Sequence, residues 1–224
     1  MRLNDDFTTR AVMHGAKMEW IKSPMPGVER RMLFRIGDEK ARATSLVRYA
    51  PGSHFSPHDH PGGEEILVLD GVFQDESGDY PAGSYIRNPP GSRHTPASQP
   101  GCLLFVKLWQ FRKDDDAYVA IRPDQEIPGA SWPGVASSQK LFDNGHEEVR
   151  LERWQPNSQI TIANADGLEL LLLEGGFAMG LEEFRRLSWL RLPPGQHFKA
   201  ETGPDAARVF VKSGKLLQDN ICEF

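Results

Sequence analysis

Three histidines and a glutamate stand at spacings that suit a metal ion. The segment Gly52-Ser53-His54-Phe55-Ser56-Pro57-His58-Asp59-His60-Pro61-Gly62-Gly63-Glu64 carries two imidazoles two residues apart. On an extended chain such residues point to the same side. His58 and His60 therefore share a face, and Glu64 follows four residues later across a Gly-Gly turn. His94 comes just after the tight Pro90-Gly91 turn and could complete a set of four. Imidazole nitrogens with a carboxylate form a donor set for a divalent ion, and the set alone does not choose among zinc, iron, nickel and manganese. A bare His-x-His also reads as surface histidines in a polar loop, and two residues alone leave that open. No catalytic residue is assigned.

The neighbours have plainer readings. Asp59, between the two histidines, faces away from them, and Glu65 faces outward or pairs with an arginine. Arg48 and Arg93 are either anion-binding groups at a barrel mouth or solvated, ion-paired surface residues. His54 either supports a ligand from behind or stays on the surface. Phe105, Trp109 and Phe111 share one strand face and read as core. Cys102, on an apolar strand, reads as an inert buried thiol.

Short strands must position these groups. Arg42 to Ala50 alternates and ends at Pro51-Gly52. Glu65 to Leu69 is an apolar run stopped by Asp70-Gly71, a hairpin signal. Val72 to Asp75, Ser84 to Arg87 and Leu103 to Phe111 continue the series, and Lys113 to Asp116 ends it in water. Asn144-Gly145 reads as another hairpin turn. Strands every 8–12 residues point to a sandwich or closed barrel. Asp6 to Met18 could hold a short helix, and Gly180 to Arg186 reads equally as a helical turn or as strand and loop.

Composition supports this. The 224 residues are 39% hydrophobic and 25% charged, enough for a core without a stapling metal or disulfide. Glycine (21) and proline (17) exceed their usual share and fit many turns. A net charge of -5 without a basic patch argues against nucleic acid and anionic membranes as partners. No apolar run reaches the length of a membrane span, and the N-terminus lacks the form of a signal peptide. Two cysteines, Cys102 and Cys222, make no disulfide framework, so a cytoplasmic location is expected.

The chain also repeats itself. Arg48-Tyr49-Ala50-Pro51-Gly52-Ser53 is echoed by Arg153-Trp154-Gln155-Pro156-Asn157-Ser158. Glu65 to Phe73 is echoed by Glu169 to Phe177, Pro89-Pro90-Gly91 by Pro193-Pro194-Gly195, and Phe105-Val106-Lys107 by Phe210-Val211-Lys212. The offset is 104 or 105 throughout, with a seam near Pro123 to Pro133. Aligned on the repeat, His58 becomes Ala163, His60 becomes Ala165 and His94 becomes Phe198, while Glu64 falls on Leu168 or Glu169. The second copy should therefore hold no metal. His197 should lie on its surface.

Two wider patterns surround the donors. Gly-x5-His-x-His-x3-Glu-x6-Gly is met by Gly52, His58, His60, Glu64 and Gly71, and Gly-x5-Pro-x-Gly-x2-His by Gly83, Pro89, Gly91 and His94. Only the asparagine that closes the second pattern is missing, with Ser98 in its place. The sequence thus resembles the cupin superfamily. Its first half is similar to the cupin domain of ChrR-type anti-sigma factors, through His58 to Glu65, the strand to Gly71, Asp75-Glu76 and Asn88 to Thr95. The resemblance implies an all-β tandem double-stranded β-helix, a bicupin of jelly-roll barrels. Residues 1–125 would form the metal-bearing barrel and residues 126–224 a degenerate, metal-free one. It also implies metal ligation by His58, His60, Glu64 and His94, and one divalent ion per chain.

In that family the site holds zinc, which points to a sensing, regulatory or small-ligand-binding role. Related iron-bearing barrels are dioxygenases of diketone or hydroxyacetophenone substrates, which is the alternative reading here. The separate zinc-bearing helical domain that holds the sigma factor has no counterpart, since His14 is followed by no cysteine until Cys102. Sigma-factor binding is therefore not expected. A monomer or a homodimer is.

Overall fold

A computed structural model describes residues 1–123, 129–216 and 220–223. Its chain is almost wholly β and divides into two compact units. The described part of the first unit is residues 1–5, 19–123 and 220–223; that of the second is residues 6–18 and 129–216. Part of the Pro123 to Pro133 seam lies outside the described residues.

In the first unit the main antiparallel sheet runs in the order Arg2–Leu3, Val28–Gly37, Ala41–Tyr49, Cys102–Leu108, Glu64–Asp75, Tyr85–Asn88, Val119–Ile121. Facing elements are shorter: Ser53–His54 pairs with Ala97–Ser98, His58–His60 with Ser92–His94, and Gly78–Pro81 with the end of Glu64–Asp75. Ile66, Val68, Phe73, Tyr80, Ile86, Leu104 and Val106 fill the space between.

The Glu64–Asp75 strand corrects one expectation. Asp70-Gly71 does not turn a hairpin; the strand continues through it, and its register against Cys102–Leu108 slips at Leu103/Leu104. Gly71 has φ +69, and a side chain there would collide with the carbonyl of Gly101. The slip is a β-bulge, and it inverts the alternation beyond it. Before it the even positions Ile66 and Val68 are buried in the core; after it the odd position Phe73 is.

The second unit repeats the plan. Its main sheet runs Gly129–Trp132, Val135–Asp143, Glu147–Trp154, Ala207–Gly214, Leu168–Glu174, Ser188–Leu192, Ala11–His14. Gln159–Ile162, Phe198–Thr202, Gly176–Met179 and Glu182–Arg185 form the facing sheet. Its core holds Trp154, Phe177, Phe184 and Phe198 in ring contact. The bulge recurs between Leu172 and Glu174, ahead of Gly175 at φ +73.

The short helix expected within Asp6 to Met18 gave way to a strand, and Gly180 to Arg186 took its strand alternative. Within Asp6 to Met18 only a 3-10 turn forms at Gly15–Lys17, because Ala11–His14 pairs with Ser188–Leu192 and buries Ala11. Glu182–Arg185 forms a hairpin with Gly176–Met179, whose turn Gly180 takes at φ +62. Pairing overrides a weak local preference in the first place and decides between two in the second. Asn144-Gly145 does form the expected turn, between Val135–Asp143 and Glu147–Trp154. Among the described residues no helix is long and apolar enough to cross a membrane.

Candidate metal centre

Two short strands and one turn bring the four candidate donors together. His58–His60 lies antiparallel to Ser92–His94 in a register that sets His94 opposite His58 and Ser92 opposite His60. All three histidines therefore project from one face. The His60 carbonyl accepts the Gly63 N–H at 3.1 Å and the Gly91 N–H at 2.9 Å. One oxygen thus ties the Gly-Gly turn to the Pro-Pro-Gly turn. The turn needs glycine: a Cβ on Gly62 would fall within 3.0 Å of the Trp109 ring, and one on Gly63 within 3.0 Å of the Phe111 ring. Beyond the turn, Glu64 enters its strand with its carboxylate inward.

His60 Nε2 is 2.9 Å from His94 Nε2, and Glu64 Oε2 is 3.4 Å from each. The ligand atoms of His58, His60 and His94 all lie within 4.8 Å of one another. His60, Glu64 and His94 are buried, and His58 is partly exposed. His58 Nδ1 lies 3.1 Å from the Ser56 carbonyl, a contact that assigns the proton to Nδ1 and leaves Nε2 a free lone pair. Asn88 donates an N–H to Glu64 Oε2 at 3.2 Å, fixing the carboxylate.

The electrostatics are uneven. Burial holds His60 below its usual pKa, against the pull of Glu64, and so favours the neutral imidazole that a metal requires. Burial would lower His94 too, but the Asp75 carboxylate and Glu64 outweigh it and hold it above the usual value. The Tyr49 phenol is driven up by burial and by Glu64.

These groups fit a metal ion. Donors bound at about 2.1 Å to one ion, at angles between 90° and 110°, lie about 3.0–3.4 Å apart. The separations around His60, Glu64 and His94 fall close to that range. Among the described residues, His58, His60 and His94 are also the cluster whose ligand atoms converge closely enough for an ion.

The neighbours separate cleanly from the centre. Asp59 is exposed and pairs with Arg93 at 2.9 Å. Arg48 pairs with Glu29 and stacks over Trp20. Glu65 is buried on the other side of its strand, where it accepts the Tyr85 hydroxyl at 2.8 Å, and Arg87 lies 3.9 Å away. His54 is exposed. Cys102 is buried and its thiol is pushed up to about 11 by burial, as an inert thiol should be. Ser98, at the place of the missing asparagine, donates its hydroxyl to the Val72 carbonyl at 2.6 Å.

Two residues near the donors had not been singled out from the sequence as part of the site. Asn88 sits in the Pro-Pro-Gly segment and announces nothing by type. Asp75 becomes inward-facing only through the bulge at Gly71, so a count by twos along the strand points it the wrong way.

The second unit corrects the alignment of the repeat. Phe198 pairs with Ile162 as His94 pairs with His58. The counterparts of His58 and His60 are therefore Ile162 and Asn164, at an offset of 104, and not Ala163 and Ala165, which are exposed. Leu168 pairs with Leu192 as Glu64 pairs with Asn88, which settles Leu168 over Glu169. Leu168 and Phe198 are fully buried and apolar. Asn164 spends its side chain on the Pro193 and Gln196 carbonyls and the Gly167 amide. His197 is exposed and accepts the Asn164 amide at 3.1 Å.

Residues 8–112 match a family described as ChrR Cupin-like domain. No curated protein matches the chain. Among solved structures, a candidate dioxygenase from Nostoc punctiforme superposes with a TM-score of 0.73 at 14% identity, covering 97% of this chain and 87% of that one. A bacterial pirin from Escherichia coli in complex with nickel(II) gives 0.67 at 15%, covering 92% and 99%. An oxalate decarboxylase from Lactobacillus farciminis gives 0.63 at 9%, covering 92% and 86%. At these identities the likeness is one of fold.

Proposed function

Because the chain has the cupin fold and resembles the ChrR cupin domain over residues 8–112, we propose that His58, His60, Glu64 and His94 hold one divalent metal ion, and that the loaded site serves a sensing or small-ligand-binding role. The observation that carries this is the convergence of four donors, three of them buried, in one unit of a repeated scaffold. Three imidazoles and one carboxylate saturate tetrahedral zinc and leave a closed site. The protein's own part is to keep the donors in place: the Ser56 carbonyl orients His58, Asn88 holds Glu64, and the His60 carbonyl locks the two turns. Two free, buried cysteines suit a reducing cytoplasm. Sigma-factor binding is not part of the proposal.

A second reading has one observation in its favour. His58 is partly exposed, so the donor cluster is open to solvent on one side. With iron, the same four donors would leave two octahedral positions, and the ion would act as a Lewis acid toward a chelating substrate and oxygen. The Nostoc punctiforme neighbour bears a dioxygenase description.

Metal analysis of the purified protein should give one equivalent per chain, and His58→Ala with His60→Ala should reduce it to none. No metal, or two equivalents, overturns the proposal. Oxygen uptake with a 1,3-diketone by the iron-loaded protein would replace the sensing role with the dioxygenase.

A further inference from the structure

Asp75 stands behind His94. Its side chain is only 5% exposed, and its Oδ2 lies 3.7 Å from His94 Nδ1, just beyond hydrogen-bond length. His94 Nδ1 is itself buried and has no other hydrogen-bond partner. The other carboxylate oxygen, Oδ1, accepts the Ser77 amide at 2.7 Å, so the carboxylate is anchored and presents Oδ2 to the ring. The next residue, Glu76, accepts the Thr95 amide at 2.8 Å. The hairpin that carries Asp75 is thereby tied to the residue following His94.

The repeat supplies an independent comparison. Asp75 pairs with Gly78 as Met179 pairs with Glu182, and the same offset takes His94 to Phe198. Where the imidazole is present, a carboxylate stands behind it. Where phenyl replaces it, a thioether stands there and packs on the apolar core. The two positions differ together between the units.

We infer that Asp75 is a positioning residue of the metal centre: its Oδ2 accepts the Nδ1–H of His94, so that Nε2 presents its lone pair to the ion. A small rotation of either side chain closes the gap between them. Imidazole ligands are commonly oriented this way, and loss of the partner lowers metal affinity about 10–100-fold. The inference rests on the reading that His94 is a ligand.

The test uses Asp75→Asn and Asp75→Ala in the full chain, with cobalt(II) as probe and with long-range proton–nitrogen NMR of the metal-free protein. In Asp75→Asn the Ser77 amide takes the only side-chain oxygen, so an NH2 group faces Nδ1 and drives the ring proton to Nε2. The wild type should show His94 protonated at Nδ1, and Asp75→Asn should move that proton. Both variants should bind cobalt(II) about 10–100-fold more weakly while the metal-free proteins unfold at wild-type temperature. An unchanged tautomer with unchanged cobalt(II) affinity overturns the inference, as does an affinity loss matched by a loss of fold with the tautomer unmoved. If the wild type binds no cobalt(II), the metal reading fails by itself. The tautomer shift in Asp75→Asn then still decides whether Asp75 orients His94.

Discussion

The two units share a strand order, a bulge and a Pro-Pro-Gly turn, yet one turns four polar donors inward and the other sets three apolar residues and one fully bonded asparagine at the same positions. His58, His60, Glu64 and His94 correspond to Ile162, Asn164, Leu168 and Phe198 in the repeat. The second unit shows what the scaffold needs for stability: Phe198 and Leu168 fully buried, with Trp154, Phe177 and Phe184 against them. The first shows what it tolerates for another reason. Burying imidazoles and a carboxylate without full partners is unfavourable, and the carboxylate oxygen behind His94 Nδ1 stands 3.7 Å away. A fold that can close over Phe198 does not need His94 for its core.

The comparison can be broken most sharply at its ends. Phe198→Ala should destabilise the second unit by about 3–5 kcal/mol, since a fully buried ring is removed. His94→Phe should leave the metal-free first unit at or above wild-type stability while abolishing metal binding. Denaturant unfolding of both variants measures this, and a His94→Phe loss as large as that of Phe198→Ala would make the donor cluster part of the core. Next in size, Gly62→Ala and Gly63→Ala press a methyl group against Trp109 and Phe111 and should each cost about 1–3 kcal/mol. Both should also weaken metal binding, because the turn sets Glu64; metal titration reads the second effect and thermal melting the first.

The smallest effect is in pH, and its sign differs between two histidines of one cluster. His94 is raised in the folded state, so its contribution to stability is full below the unfolded value of 6.5 and is lost as pH rises through the folded value. His60 is lowered, so the folded state resists its protonation and stability falls as pH drops through 6.5. In the metal-free wild type the two oppose each other. His60→Ala should expose a stability that declines as pH rises above about 6.5, and His94→Ala one that declines as pH falls below about 6.5. Urea midpoints on both sides of that pH check it, and parallel profiles for the two variants would refute the opposed environments.

The convergence of these four side chains was legible because their spacing is local: two histidines by twos, a glycine turn, and a proline turn before His94. The repeated strand plan was legible because the repeat preserves turn residues as well as apolar ones. Other features were hidden for physical reasons. Ala163 and Ala165 looked like counterparts because the offset changes by one residue between Gln159 and Ile162, where two residues stand in place of the three between His54 and His58. Strand Ala11–His14 looked helical because its partner, Ser188–Leu192, is remote in sequence. Asp70-Gly71 looked like a turn because a glycine at positive φ serves a bulge as well as a hairpin.

That bulge also decides what each barrel could become. A strand has only two phases, and a substitution changes what a position carries but never which way it points. Only a change in residue count does that, and both barrels keep the same extra residue ahead of Gly71 and Gly175. The second barrel therefore still aims Met179, Leu168, Phe198 and Ile162 as the first aims Asp75, Glu64, His94 and His58. Its difference from the first at these positions is one of side chains alone and is reversible by point changes. A single deletion at the bulge of the first would rotate Asp75 out of the barrel, and no later substitution would bring it back.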